Sequence, residues 1–414
     1  MKKVLCTSLV LLLIVSGITV AFAAESAKTT GAAAETTTTA AAAEETTTTA
    51  VTTTGAATTI VPDMTFTGTP IKLSLEDAYK KMLSDSTGAK MAELNKQNAS
   101  NIAQGYAENI QDLNRAKSST YAGVTYDAGN KEMARTAKAY ATAQGPKNYE
   151  AEQNKLKYDT MNNYYTLKEL ENQAQIAKDN LALKEKLLSN TQLKFKLGTV
   201  SKNDVLKAEV SVNEAKDSYL AATNGLNTMK MGFNQFMGYD LMQSVTLTDT
   251  INEVPLSAKP LKDSIASALK NRNKMAEAAY GLEMAKLSAN TYKAYPKSSS
   301  KYLGAQMKIL LAETAYNNAP LTIETDVRTK YMTMNEEYSK VQTGKKSVEN
   351  SKETARLVQL QYDSGMATLT DVEEAQLGYY NAQLGYSRAL LKYNLAVYEY
   401  DLSSGVGVES ASFE

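Results

Sequence analysis

The second half of this chain repeats the first. Tyr164 pairs with Tyr331, Gly198 with Gly365 and Gly238 with Gly405, at a constant separation of 167 residues and without a gap. Around the central glycines the match is local as well. Phe195-Lys-Leu-Gly198-Thr-Val-Ser201-Lys-Asn-Asp204-Val205 aligns with Tyr362-Asp-Ser-Gly365-Met-Ala-Thr368-Leu-Thr-Asp371-Val372. A repeat of this length is a structural unit, so the chain has to fold as two copies of one unit. The second copy restarts at Leu261-Lys-Asp263, which matches Leu75-Glu-Asp77 at an offset of 186, so the first copy carries about 19 additional residues before Tyr164.

The periodicity says what the unit is. After Gly198, apolar positions fall at Val205, Ala208, Val212, Ala215, Tyr219, Ala222, Leu226, Met229, Phe233 and Phe236. After Gly365 they fall at Val372, Ala375, Tyr379, Ala382, Tyr386, Ala389, Tyr393, Ala396 and Tyr400. Steps of three and four in strict alternation make a 3.5-residue seam, which specifies coiled-coil packing rather than the broader stripe of a globular helix. The fold class is mainly all-α: elongated antiparallel coiled-coil hairpins in two tandem repeats. Helix signals begin at Leu73-Ser74-Leu75-Glu76-Asp77, with Ser74 as the cap, and weaken at Gly88. A Ser-, Gly- and Tyr-rich connection is expected over 118–130. Long helices are expected over 147–197, 201–237, from near Leu321 to Gly365, and from Thr368 to near Gly405, with a break at Tyr295-Pro296.

Each hairpin turn reads Gly-x-x-[Ser/Thr]-x-x-Asp-Val. Gly198 and Gly365 can adopt the left-handed conformation that ends a helix. Ser201 and Thr368 can cap the next helix, and Asp204 and Asp371 stand where a carboxylate reaches back to the cap amide. These residue types at this spacing are fully accounted for by a tight helix-turn-helix.

Composition divides the chain and narrows its chemistry. Residues 1–24 read as an export signal: Lys2 and Lys3, an apolar run, then Ala21-Phe22-Ala23. Residues 25–68 are dominated by Thr and Ala and lack the large side chains that could offset ordering entropy, so they read as a linker, with an O-glycosylated or wall-spanning spacer as the alternative. The remainder divides into repeat 1 (69–238), an inter-repeat linker (239–260), repeat 2 (261–405) and a tail (406–414). The sole cysteine, Cys6, lies in the signal and the chain has no histidine, so metal centres, haem and thiol chemistry lose their usual ligands. No cofactor, metal or catalytic residue is assigned. Acid pairs such as Glu336-Glu337 and Glu373-Glu374 read as solvated helix faces, and most of the 25 tyrosines as seam and interface packing, with a lining that contacts small molecules as the alternative. With 45 basic against 45 acidic residues there is no excess charge for nucleic acid.

The two matched turns, the capped start at Leu73 and the Tyr295-Pro296 break resemble the outer-membrane efflux protein (TolC) family over about residues 70–405. The resemblance implies a homotrimer in which six hairpin repeats ring a tapering tunnel. The turn end would dock on a periplasmic adaptor (membrane fusion) protein and an inner-membrane pump. It implies a gate at the tunnel tip made of Asp204, Tyr362, Asp371 and Glu374. The family's arginine two residues past the second glycine is absent, because that position is Ala367. Family members also carry β-barrel strands. Here 118–130 is too short for two membrane-length strands, and 297–320 has room for one, at Tyr302–Leu311, so the barrel is expected to be reduced or absent.

The expectation is therefore a non-enzymatic, exported envelope duct passing small molecules or peptides, at the outer membrane by resemblance. The alternative is a coiled-coil spacer or adhesive envelope protein without a pore.

Overall fold

The computed structural model describes residues 65–117 and 127–413. The expected export signal and most of the Thr/Ala tract lie outside these residues, as does most of the 118–130 connection.

The first copy comprises β1 (Thr67–Leu73), α1 (Leu75–Asp85), α2 (Thr87–Arg115), α3 (Ala128–Lys196) and α4 (Lys202–Met237). The second comprises β2 (Gln243–Leu247), α5 (Leu261–Asn271), α6 (Asn273–Asn290), α7 (Ser300–Asp363) and α8 (Leu369–Ser403). Ser74 caps α1 as expected, its hydroxyl accepting from the Asp77 amide. The weak point near Gly88 is a break at Ser86, which caps α2 in the same way, and Gly88 lies inside α2. Every position of both 3.5-residue seams is buried or half-buried; none is exposed.

At 1.5 Å per residue the 64 residues of α7 span roughly 96 Å. In the lower shafts α3 packs between α4 and α8, and α8 packs on α7; in the upper part α2, α3, α6 and α7 lie side by side in that order. Each copy has its own core at mid-height. Met82, Tyr164, Leu167, Phe233 and Met237 form one, and Val327, Met334, Tyr393, Ala396 and Tyr400 form the other. Phe233 and Tyr400 occupy equivalent repeat positions, and both are completely buried.

The structure corrects two expectations. First, α3 begins at Ala128 rather than near Lys147 and runs through Pro146, and α7 begins at Ser300 rather than near Leu321 and runs through Pro320. Proline removes one helical hydrogen bond and disfavours a helix interior by about 3 kcal/mol. Pro146 and Thr142, whose carbonyl loses its partner, are both exposed, so water can take the missing donor's place. The residue before each proline is buried: Gly145 lies so close to α2 that a Cβ there would sit 2.9 Å from Ala99 Cβ, and Ala319 is likewise buried. Packing on the buried side thus outweighs the local penalty. Second, Tyr302–Leu311 is helical and not a strand. Among the described residues the strands are β1 and β2, which pair in parallel with Leu73 opposite Leu247. β1 was not anticipated; it becomes a strand because β2 supplies its partner.

At the other end of the second copy α8 stops at Ser403, near Gly405 as expected, and the left-handed glycine beyond it is Gly407 (φ 83°). The chain then runs back along α3 as a strap. Asn148 holds it by two bonds, Nδ2 donating to the Ala411 carbonyl (2.8 Å) and Oδ1 accepting from the Ala411 amide (2.9 Å). Asn273 Nδ2 donates to the Glu409 carbonyl (2.8 Å), which ties the strap to the second copy as well.

Candidate functional site

The two glycine turns come together at one end of the molecule. Leu187 of α3, Ala208 of α4, Tyr362 of α7 and Leu369 and Val372 of α8 form a single apolar cluster just above them. Gly198 (φ 74°) and Gly365 (φ 78°) both adopt the left-handed conformation, and neither has a neighbour that would obstruct a side chain, so backbone geometry alone selects glycine.

Both turns close with a complete capping box. The Ser201 amide and hydroxyl donate to Asp204 Oδ2 (2.9 and 2.8 Å), and the Asp204 amide donates to the Ser201 hydroxyl (3.2 Å). Thr368 and Asp371 repeat the arrangement at 2.7, 2.7 and 3.2 Å. The Ser201 hydroxyl and then its amide hold the Asp204 carboxyl below the usual carboxylate range. At Asp371 the Thr368 amide and then its hydroxyl have the same effect. Both acids are anions at neutral pH, and both are engaged in closing a turn.

The repeat symmetry breaks at the residue before each turn. Phe195 is 43% exposed, whereas its equivalent Tyr362 is 4% exposed. Tyr362 packs within the apolar cluster, and Lys194 covers it further. Its ammonium lies 3.6 Å from the centre of the Tyr362 ring and donates to the Tyr362 carbonyl (2.9 Å). The Tyr362 hydroxyl faces Thr191 Oγ1 at 3.4 Å. Lys194 therefore stitches the end of α3 to the end of α7. Lys194 belongs to no local motif, and its one mark in the sequence is that its counterpart in the second copy, Gln361, is uncharged.

Of the four gate candidates, Asp371 and Glu374 are exposed at the tip, Asp204 is partly exposed, and Tyr362 is packed inside the four-helix cluster. Glu373 corrects the reading of Glu373-Glu374 as a purely solvated pair. It is half-buried and accepts from the Ser211 hydroxyl of α4, so it links α4 to α8. Lys184 lies buried on α3 near this acid; burial pushes its ammonium below the ordinary lysine value, and Glu373 and Glu214 pull it partly back. Higher on the shafts Glu169 is 4% exposed, and burial raises its carboxyl although Gln173 donates to it. Among the described residues no group of acids is placed to hold a metal ion.

Comparison with known proteins bears on what these helices belong to. Residues 296–401, which contain Tyr362, Gly365, Asp371 and Glu374, match the family profile for outer membrane efflux protein. The match spans about a quarter of the chain, all of it in the second copy. The resemblance drawn from the glycine turns therefore holds over the second copy. No curated protein matches the sequence. Among solved structures, the outer membrane protein VceC from Vibrio cholerae is similar at 14% identity and a TM-score of 0.61, over 81% of this chain and 97% of that one. The CmeC outer membrane channel of Campylobacter jejuni is similar at 13% identity and a TM-score of 0.64, over 82% and 87%. The open state of the MtrE outer membrane channel of Neisseria gonorrhoeae is similar at 14% identity and a TM-score of 0.52, over 81% and 90%. At such identities the likeness is one of fold: both copies share the helical architecture of these channels.

Proposed function

We propose that the chain is one subunit of a TolC-like duct in the cell envelope, a homotrimer whose hairpins ring a lumen for small molecules or peptides. The observation that carries this reading is that both glycine turns lie at one end, with coiled shafts of matched length rising from them. Exposed apolar residues on the outer helices support it. Leu206 and Val210 on α4, and Leu357 and Leu360 on α7, are half or nearly half exposed in the single chain. A neighbouring copy placed α4 to α7 would cover them and close the ring.

In this reading the turn end receives the adaptor protein, beyond which stands the inner-membrane pump. The tip acids Asp204, Asp371 and Glu374 form the constriction. Tyr362 acts differently from the others, holding the second hairpin against the first through Lys194. With Ala367 in place of an arginine, the tip has no cation at that position, and Lys194 is the basic residue nearest to the second turn's tyrosine.

The decisive measurement is the mass of the purified chain in mild detergent, followed by conductance in planar bilayers. A trimer with a conducting state is expected, with Glu374→Ala changing conductance or cation preference. A monomer that conducts nothing would favour the non-transporting coiled-coil spacer.

A further inference from the structure

The end of the molecule opposite the glycine turns has its own chemistry. α6 hands over to α7 there through residues 291–299. Between Met284 and Ala312 there are five lysines (Lys286, Lys293, Lys297, Lys301 and Lys308) and no acid. All five are exposed, and no salt bridge among the described residues engages any of them. This cluster stands out in a chain whose 45 basic and 45 acidic residues balance.

Three further features coincide with it. Tyr292 and Tyr295 sit together, ring centres 5.9 Å apart, with the Lys301 ammonium 5.0 Å from the centre of Tyr295. Between α6 and α7 there is a cleft of about 260 Å³ lined by Ser288, Tyr292, Ser300, Lys301, Gly304 and Lys308. It opens beside the first turn of α7, where the helix dipole also favours an anion. Finally, Leu303, Met307, Leu310 and Leu311 form an exposed stripe on α7, 54–65% accessible, while Ala305 faces α6 and is buried.

Unpaired lysines, interfacial tyrosines and an apolar stripe on one helix end form the combination that binds a bilayer surface. No helix among the described residues is long and apolar enough to cross a membrane. From Ser300 to Leu311 the helix rises roughly 17 Å, less than the hydrocarbon thickness of about 30 Å, so this tip could enter one leaflet only. We propose that the α6–α7 tip is a membrane-surface anchor for anionic phospholipid, with Lys301 and Lys308 holding a headgroup phosphate in the cleft and the leucine stripe lying against the acyl chains. This goes beyond the duct reading and does not depend on it, because a spacer without a lumen would carry the same tip.

Flotation of the full chain with vesicles of phosphatidylglycerol and phosphatidylethanolamine, and separately of phosphatidylcholine, tests it. Binding should favour the anionic vesicles and fall with salt. The triple variant Lys293→Gln, Lys297→Gln, Lys301→Gln should lose on the order of 100-fold, about five-fold for each charge. Leu310→Gln with Leu311→Gln should weaken binding while retaining its salt dependence, and Lys345→Gln with Lys346→Gln, on the shaft, should change nothing. The proposal falls if the triple variant binds like the parent, or if phosphatidylcholine is bound equally well. It also falls if inorganic phosphate at matched ionic strength displaces the vesicles, which would indicate a soluble-anion site. A leucine variant that alters subunit number and leaves vesicle binding intact would assign the stripe to a second copy and overturn it as well.

Discussion

Asp204 and Asp371 show how a residue can be fully explained by local structure and still be available for a further role. Their carboxyls are held below the ordinary range by bonds to the cap residues. A lowered folded-state value stabilises the fold above the ordinary carboxylate value of about 4 and loses that contribution as pH falls through the folded value. Asp204→Asn with Asp371→Asn should therefore flatten the thermal-unfolding profile below about pH 4, measured by circular dichroism between pH 2 and 6. Ser201→Ala, which removes the cap acceptor, should cost about 1 kcal/mol in denaturant unfolding. Glu169 has the opposite sign. Burial raises its carboxyl, so it favours the fold most at pH below the ordinary value of about 4.3, and that contribution declines as pH rises from there through the raised folded value. Glu169→Gln should raise the melting temperature at pH 7 and have little effect at pH 4. A lower melting temperature at pH 7 would mean that the charged form is needed where it stands.

At the scale of the element, the strap after α8 is the part whose removal is most informative. A Cβ on Gly407 would sit 2.4 Å from Arg272 Nη1, and φ there is +83°. Arg272 is not free to withdraw, because its guanidinium pairs with Asp326 of α7 and donates to the Ser403 carbonyl. Gly407→Ala should therefore destabilise the fold by more than 1 kcal/mol and expose the strap to limited proteolysis. Equal protease resistance in variant and parent would show that the strap contributes little. α3 and α7 illustrate the same lesson in reverse. Proline at 146 and 320 reads locally as a boundary, and both helices continue because neighbours on the buried side hold the flanking turns in place.

For the whole molecule, the issue is what covers the outer helices. In the trimer proposed above, replacing Leu206 and Val210 of α4 by Gln should leave the hairpin folded, since both side chains are about half exposed, and shift the mass in detergent toward monomer. The same change on α7, Leu357→Gln with Leu360→Gln, should act in the same direction, because the proposed ring would join the two faces. Loss of folding in either variant, seen by circular dichroism, would mean that these residues serve the single chain and not its assembly.

Duplication, coiled-coil class and turn chemistry were all legible in order alone, because each depends on spacing along one chain: a 3.5-residue seam, a left-handed glycine, a hydroxyl three residues before an acid. Two turns with the same Gly-x-x-[Ser/Thr]-x-x-Asp pattern also imply the same conformation twice, as observed. Burial was not legible. Phe195 and Tyr362 hold equivalent places, yet one is open and the other enclosed, since only Tyr362 enters the apolar cluster and meets Lys194. β1, the strap, the half-buried Glu373 and the helical course of Tyr302–Leu311 share that cause. Each is set by a partner many residues away, and a contact that closes through space leaves no periodic trace in the segment it stabilises.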